Sequence, residues 1–251
     1  MTAYHGGKQR IGKKLASIIV EESITIAEDQ NFTIKGYCEP FCGMLGVYKH
    51  IPLLFKNDGL NLTYKAGDTN GSVIKMWKEA QKGWIPPISS TEKQYDNLKN
   101  STNDSALKGY IGHQYSYGGQ FFNGYAPKYG KSVNSTKASK NVQDIATILN
   151  KVQFKEGSYK QFSTLKGYVI YCDPPYEGGW SNYNDVKSRT AFDIKEFWDW
   201  CDEMAYDNII FVSSYTAPRE VDCIFSSTHK LTGDDSKIKN KQRTEKLYLL
   251  C

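Results

Sequence analysis

The sequence predicts an α/β protein in which strands and helices alternate along the chain. Short β-branched and aromatic runs, such as YVIYC at residues 168–172, are typical of buried strands. Segments such as IGKKLASIIVEE at residues 11–22 carry apolar residues at helical spacing, and polar or glycine-containing turns join the two kinds of segment. Ligands of open α/β sheets bind at the carboxyl ends of the strands, so we expect the functional site there.

The first part of the chain contains two strand–turn–helix units. Residues 11–22 form the first predicted helix, and residues 32–38 predict a strand that leads through EPFCGMLGVYKHI into a second helix. Residues 60–66 predict the next strand, and residues 71–81 the next helix. Asp68 lies at the end of that strand, where an acid commonly accepts hydrogen bonds from ribose hydroxyls. The first turn lacks the GxGxxG spacing, which argues against NAD or FAD.

The middle of the chain is predicted to be an insertion, because both periodicities fade between residues 83 and 142. We expect residues 89–104 to be partly helical and residues 109–131 to be looped or hairpin-like. Alternation then resumes, with predicted elements at residues 142–152 (helix), 167–172 (strand), 192–205 (helix), 208–213 (strand) and 245–250 (strand).

Positive charge is concentrated in the insertion. The net charge is +5, and residues 105–143 hold no acid but contain five lysines and seven aromatic residues: Lys108, Lys128, Lys131, Lys137, Lys140, Tyr110, Tyr115, Tyr117, Phe121, Phe122, Tyr125 and Tyr129. Lysines beside exposed rings suit phosphates and stacked bases. A second basic run, KIKNKQR at residues 237–243, is most often typical of a solvated loop and is a secondary candidate for a surface that binds nucleic acid.

Composition excludes several classes of protein. No stretch approaches the roughly 18 apolar residues of a membrane span, and MTAYHGGKQR at the start has no apolar segment of a secretory signal. The six cysteines form no CxxC pair and have no matching histidine cluster, so we expect reduced thiols and no metal site. We therefore expect an intracellular protein with no membrane association.

The stretch IYCDPPYEGG, residues 170–179, joins a predicted strand to an acid, two prolines and an aromatic residue. Alone, Asp-Pro-Pro-Tyr could be a strand-ending turn. Its companions YHGGK (residues 4–8), EPFCG (residues 39–43) and GDTN (residues 67–70) precede it in that order. Together the four motifs resemble the DNA adenine methylase (Dam-like) family of N6-adenine methyltransferases, over nearly the whole chain.

The resemblance implies a Rossmann-like methyltransferase fold with an inserted small DNA-recognition domain. Residues 1–82 would be the cofactor-binding part, residues 83–141 the target-recognition insertion and residues 142–251 the catalytic part. It further implies S-adenosylmethionine as cofactor and double-stranded DNA as partner, with the target adenine flipped out of the duplex. No metal is implied, and the sequence identifies no partner nuclease of a restriction–modification pair.

Cofactor contacts are carried over position by position. Tyr4 and Lys8 match the family's amino-terminal motif, and Asp68 matches its ribose-binding acid. Four residues, Glu39, Pro40, Phe41 and Gly43, match the turn under the methionine end of the cofactor. Tyr159 matches the aromatic residue beside the cofactor's adenine, although Ser158 stands where the family usually has an acid.

The catalytic motif is Asp173, Pro174, Pro175 and Tyr176. The exocyclic nitrogen of adenine is a poor nucleophile, and acceptors on its hydrogens free its lone pair. The resemblance assigns that task to the Asp173 carboxylate and the Pro174 carbonyl, which the stiff Pro-Pro unit holds in direction. Tyr176 would stack on the flipped base, for which a ring suffices.

DNA contacts are expected from FFNGYAPKYGK, which resembles the family's Asn- and aromatic-rich segment. The candidates are Asn123, Tyr125, Lys128 and Lys131. One position departs from the family: the turn usually reads Phe-x-Gly-x-Gly, but Leu45 replaces the second glycine. If the backbone must approach the cofactor closely, a residue without a Cβ is needed at this position. The turn must then shift by one residue or bind the cofactor more weakly.

Four alternatives remain open: methylation of adenine in RNA, of cytosine N4 or of a protein glutamine, and a non-catalytic DNA-binding relic of the fold.

Overall fold

A computed structural model describes residues 3–176, 192–230 and 242–251. The strands are β1 (Gly36–Glu39), β2 (Thr63–Asp68), β3 (Val152–Glu156), β4 (Tyr168–Cys172), β5 (Ile209–Ser214), β6 (Asp222–Lys230) and β7 (Gln242–Leu250). The α-helices are α1 (Gly12–Asp29), α2 (Ile51–Asn57), α3 (Gly71–Gln81), α4 (Glu92–Asn100), α5 (Ala106–Gln114), α6 (Ser135–Ala146) and α7 (Ile194–Ala205). They confirm the predicted α/β class.

The strands form one seven-stranded sheet in the order β3-β2-β1-β4-β5-β7-β6. The first five run parallel, and β7 is antiparallel to both of its neighbours. From β1 the chain builds outward through β2 to β3, and from β4 it builds in the other direction. The order reverses between β1 and β4, which is where ligands bind in open α/β sheets. This arrangement confirms the predicted Rossmann-like fold.

Two apolar cores cover the two faces of the sheet. Tyr37 belongs to the larger core and its neighbour Cys38 to the smaller one, because successive strand side chains point to opposite faces. The larger core is packed by α1, α3 and α6, and the smaller one chiefly by α7. All six cysteines are free thiols, and four of them are buried.

Several element bounds match the sequence-based expectation and others do not. Helix α3 matches residues 71–81, because Asn70 caps it by accepting from two backbone N–H groups. The helix predicted at residues 142–152 is wrong: α6 lies earlier in the chain, and residue 152 begins β3. Strand β6 was not predicted, since DCIFSSTHK carries many polar residues.

The insertion is more helical and more buried than expected. Helix α5 occupies the start of the segment expected to be looped, and Gly109 packs so closely on α3 that a Cβ there would lie 2.3 Å from the Ser72 carbonyl oxygen. Tyr110, Tyr115 and Phe122 are buried, so the expectation of exposed rings is wrong for these three. The predicted boundary at residue 141 falls inside α6, and the division into domains stays a prediction.

Within the described residues, no helix combines the length and apolar character needed to cross a bilayer. Most of the basic run at residues 237–243 lies outside the described residues.

Candidate active site

A cluster of buried and half-buried charged groups joins the amino-terminal motif to the end of β4 and to β7. The Lys8 ammonium donates to both carboxylate oxygens of Asp173, at 2.7 and 2.8 Å, and to the Gly6 carbonyl at 3.0 Å. Its nitrogen also lies 3.3 Å from Oε1 of Glu245. The Tyr176 hydroxyl donates to Asp173 Oδ1 at 2.9 Å and lies 3.3 Å from the same Glu245 oxygen. Two carboxylates thus share one ammonium.

Burial and charge pull the pKa values of this cluster in opposite directions. Burial alone would lower the pKa of Lys8, but the carboxylates of Asp173 and Glu245 outweigh it and raise that pKa above its ordinary value. Burial raises the pKa of Asp173, and the Lys8 ammonium opposes that shift. The pKa of Tyr176 is raised well above its ordinary value, chiefly by burial. Lys8 is therefore cationic and the Tyr176 hydroxyl is protonated at neutral pH.

Close backbone contacts position Lys8. Gly12 begins α1 directly against the turn that follows β1, and a Cβ on it would lie 2.1 Å from the Gly46 carbonyl oxygen. The Gly12 N–H donates to the Lys8 carbonyl at 2.6 Å. Lys8 therefore starts from a fixed backbone and reaches the end of β4, where Asp173 follows the buried Cys172.

The end of β1 and the turn that follows it carry four of the predicted cofactor residues. Glu39 is buried, accepts from the Tyr37 hydroxyl at 2.8 Å and has a pKa raised to about 8 by burial, against the effect of that hydrogen bond. Pro40 is buried beside it. Gly43 has φ +41°, and a Cβ there would lie 2.7 Å from the Tyr4 ring. The Tyr4 ring therefore closes directly over this turn.

Leu45, which stands where the family usually has glycine, adopts a left-handed backbone. Its φ is +52°, in the left-handed region that non-glycine residues rarely occupy, and its side chain is fully buried in the larger core. Left-handed residues stand at positions 43 and 45, and the alternative between a shifted turn and weaker cofactor binding stays a prediction. A buried leucine side chain offsets the backbone strain.

Asp68, at the end of β2, holds the same turn through a hydrogen bond. Its Oδ2 accepts from the Gly43 N–H at 3.0 Å and its Oδ1 from the Asn70 N–H at 2.9 Å. Burial raises its pKa, and these backbone hydrogen bonds oppose the shift. A carboxylate offers about four lone-pair directions, so Asp68 keeps acceptor capacity for other hydroxyls.

Aromatic residues line the neighbouring part of the sheet edge. Phe41 stacks on Tyr159 with ring centroids 5.6 Å apart. Across the described part of the chain, the Tyr159 hydroxyl and the Gln161 amide nitrogen are buried without a hydrogen-bond partner. Gln161 lies beside the strand that ends at Asp68, since a Cβ on Gly67 would lie 3.2 Å from its amide nitrogen. Unpaired buried donors beside an acid and a ring suit a polar, ring-bearing ligand.

The predicted cofactor residues converge. One cavity is lined by Tyr4, Lys8, Glu39, Phe41, Gly43 and Asp173, together with Tyr171 and neighbouring backbone. Asp68 and Tyr159 adjoin it through their contacts with Gly43 and Phe41. The amino-terminal motif, the turn after β1 and the end of β4 thus form a single site.

A known protein family matches the part of the chain that includes the DPPY motif. Residues 106–237, just over half of the chain, match the family described as D12 class N6 adenine-specific DNA methyltransferase. The chain belongs to this family. Its expected chemistry is therefore adenine-specific methyl transfer, and the family implies use of S-adenosylmethionine.

Similarity to individual proteins is much weaker. No curated protein matches this D12 methyltransferase. A structure of the rRNA methyltransferase aviRa from Streptomyces viridochromogenes is 10% identical, with a TM-score of 0.38, covering 94% of this chain and 84% of that one. A conserved hypothetical protein from Streptococcus pyogenes is 8% identical, with a TM-score of 0.35 and 88% of each chain covered. These likenesses are too weak to indicate a substrate.

The candidate DNA-contacting residues of the D12 methyltransferase lie outside this cavity's lining. Lys128 is exposed but pairs with Glu92 of α4 at 2.7 Å, so an acid from a neighbouring segment offsets its charge. Lys131 is exposed and lies 5.9 Å from the Tyr117 ring centroid. Asn123 is exposed and donates to a neighbouring glutamine side chain, whereas the half-buried Tyr125 donates to the Ser90 carbonyl at 2.5 Å. Their DNA contacts stay predictions.

Sequence reasoning missed three residues near the site. Glu245 reads as a surface acid beside lysine in TEKLYLL, and only the antiparallel course of β7 brings it to the carboxyl ends of the parallel strands. Gln161 follows the Tyr159 match without belonging to any motif. His113 of α5 packs on the Tyr4 ring at 4.6 Å, and burial lowers its pKa to about 4, so it is neutral. Little in the sequence distinguishes these residues from surface or core positions.

Proposed function

We propose that this D12 methyltransferase transfers a methyl group from S-adenosylmethionine to the exocyclic N6 of an adenine in double-stranded DNA. The observation that carries the proposal is the position of Asp173. Its carboxylate follows β4 and faces the same cavity as Lys8, Glu39 and Phe41. A carboxylate acceptor for an amino group therefore adjoins the predicted cofactor site, and the family description supports adenine in DNA.

The residues present fit S-adenosylmethionine. Asp68 offers acceptor capacity to ribose hydroxyls, and Phe41 and Tyr159 offer aromatic faces. When bound, S-adenosylmethionine supplies the electrophilic methyl group.

Asp173 and Pro174 would activate the adenine amino group. Its nitrogen lone pair is delocalised into the ring, and acceptors on both hydrogens pull the nitrogen toward tetrahedral geometry. Pro174 is buried directly after Asp173, so its carbonyl starts from a fixed position beside the carboxylate. With Lys8 on both oxygens and Tyr176 on Oδ1, Asp173 would accept from the substrate through the remaining lone-pair direction of Oδ2 or by turning that oxygen away from Lys8.

Tyr176 would hold the base. In this structure its ring packs edge-on against Tyr215 with centroids 4.5 Å apart, and the Lys8 nitrogen lies 5.0 Å from its centroid. An adenine in a duplex must be flipped by about 180° to reach Asp173. The flipped base would stack on the Tyr176 ring, and Pro175 would hold that ring in position relative to Asp173.

DNA would be contacted by four residues of the insertion: Lys128, Lys131, Asn123 and Tyr125. Lys131 is the stronger electrostatic candidate, because the charge of Lys128 is partly offset by Glu92. Exposed lysines bind phosphates and do not select a sequence, so this surface accounts for affinity more than for target choice.

The test is tritiated methyl transfer from S-adenosylmethionine to duplex DNA, to single-stranded RNA of matching sequence and to protein, followed by digestion to nucleosides. The proposal requires label in N6-methyladenine from DNA. Label confined to RNA, to N4-methylcytosine or to protein would contradict it. No heat on titration with S-adenosylmethionine would instead support a non-catalytic relic of the fold.

Two variants test the catalytic assignment. Asp173→Asn and Asp173→Ala leave Glu245 as partner for the Lys8 ammonium, so folding and cofactor binding should survive. Methyl transfer should fall by about a hundredfold or more, because a charged acceptor in a shielded site is lost. Near wild-type rates of methyl transfer in both variants would contradict the catalytic assignment and leave DPPY as a strand-ending turn only.

A further inference from the structure

Glu245 is a second buried carboxylate beside Lys8. Its side chain is 10% exposed, and that of Lys8 is 6% exposed. The Lys8 ammonium has three N–H donors, which meet Asp173, the Gly6 carbonyl and Glu245 at 2.7, 3.0 and 3.3 Å. The Lys8–Glu245 distance is thus the longest of the three and can shorten.

While both oxygens of Asp173 hold Lys8, the carboxylate keeps one of about four lone-pair directions, on Oδ2, for a substrate amino group. Its Oδ1 already accepts from Lys8 and from Tyr176, and its Oδ2 accepts from Lys8. If Asp173 turned one oxygen to the substrate with no other acceptor present, the buried ammonium would lose part of its compensation, which is costly in a shielded site. An alternative acceptor within reach removes that obstacle.

We infer that Glu245 is a positioning residue that takes over the Lys8 ammonium when Asp173 turns to the adenine amino group. This inference rests on the proposed function. Shortening the Lys8–Glu245 contact to ordinary charged hydrogen-bond length requires a movement of about 0.5 Å. The Tyr176 hydroxyl lies at the same distance from Glu245 and can follow the same exchange.

The second carboxylate also matches the charge that the reaction creates. As the N6 lone pair forms the new N–C bond, the S–C bonding pair goes to sulfur, and positive charge passes to N6 until a proton leaves to water. With Lys8 held by Glu245, the full negative charge of Asp173 faces that nitrogen. Charge placed in advance where positive charge develops stabilises the transition state.

The chain offers a clean substitution. Glu245→Gln keeps the shape of the side chain and changes the charge of the cluster from about −1 to about zero, which leaves the Lys8–Asp173 pair compensated. Folding should therefore survive. Asp222→Asn on β6 is the control, because that acid is exposed and pairs with Leu249 on the same neighbouring strand, β7, away from Glu245.

We expect Glu245→Gln to lower kcat for methyl transfer by about 10- to 100-fold, with cofactor Kd and KM for DNA changed by less than about twofold. Glu245→Asp should recover part of the loss, and Asp222→Asn should behave as wild type. In the Lys8→Gln background, the further change Glu245→Gln should leave kcat nearly unchanged, because no ammonium remains for Glu245 to hold.

Three results would overturn the inference: an unchanged kcat in Glu245→Gln, a loss of kcat that accompanies an equal loss of folded protein, or an undiminished effect of Glu245→Gln in the Lys8→Gln background. Absence of N6-methyladenine with the wild-type protein would instead overturn the proposed function. Wild-type activity is measured in the same assay, so the two failures are distinguishable.

Discussion

Glu39 should make the folded protein less stable as the pH rises from about 4.5 to about 8. Burial raises its pKa from 4.5 to about 8, so the folded protein keeps the proton throughout this range. The unfolded chain releases the proton above about 4.5, and unfolding therefore becomes easier with each pH unit. Below 4.5 both states are protonated and above 8 both are ionised, so the effect is confined to that window.

The size of the effect follows from the shift. One pH unit within the window corresponds to about 1.4 kcal/mol, and the whole window to roughly 4–5 kcal/mol as an upper limit. Glu39→Gln mimics the protonated side chain and can still accept from the Tyr37 hydroxyl. The variant should therefore lack this part of the pH dependence.

The assay is urea unfolding of wild type and Glu39→Gln at pH 5, 6, 7 and 8, with Glu21→Gln on the exposed face of α1 as control. The pKa of Asp173 is raised and that of His113 is lowered, so their contributions to stability change with pH in opposite directions. Both residues remain in every protein, so the difference between wild type and Glu39→Gln isolates Glu39. Equal pH dependence in wild type and Glu39→Gln would refute the reasoning, because Glu39 would then be ionised in the folded protein.

Cofactor binding offers an independent check on the same carboxyl. If the methionine ammonium of S-adenosylmethionine lies beside Glu39, the ionised form is favoured and binding at pH 7 should release a proton. Titration calorimetry in two buffers of different ionisation enthalpy measures that release. Glu39→Gln should abolish it, and an equal proton release from the variant would place its source elsewhere.

Three further predictions concern other parts of the molecule. Tyr176→Phe should keep base stacking but lower kcat by up to about tenfold, because the hydrogen bond to Asp173 is lost; an unchanged kcat in steady-state assays would leave the hydroxyl without a role. Lys131→Ala should weaken DNA binding and flatten its salt dependence more than Lys128→Ala, measured by filter binding, and the reverse order would move the DNA surface. Leu45→Gly should relieve left-handed strain of about 1 kcal/mol but lose roughly 2–5 kcal/mol of buried packing, so urea unfolding should show net destabilisation; a stabilised variant would contradict this.

The parallel strands and their terminal acids could be predicted from sequence because their signals are local. Asp68 and Asp173 each follow a short apolar run, and parallel strands bring such positions to one edge of the sheet. Strand β3 was missed because VQFKE is short and half of it is exposed and polar. A pattern that weak is decided by the neighbouring strand β2 and not by the residues themselves.

Glu245 could not have been found by the same reasoning. Its place in the site depends on β7 pairing antiparallel with β5, a long-range choice that the sequence of β7 does not express. The buried rings of the insertion were misjudged for a similar reason. Tyr110 stands among glycines and polar residues that suggest a loop, yet α5 packs on α3 and buries it. In both cases tertiary packing outweighed local composition.

The insertion is physically part of the candidate site and not a module appended to it. Its His113 ring packs on Tyr4 at 4.6 Å, and the Gly119 carbonyl accepts from the His5 N–H at 3.2 Å. Tyr4 in turn lies against Gly43, so residues of this segment pack behind one wall of the cavity at the candidate site.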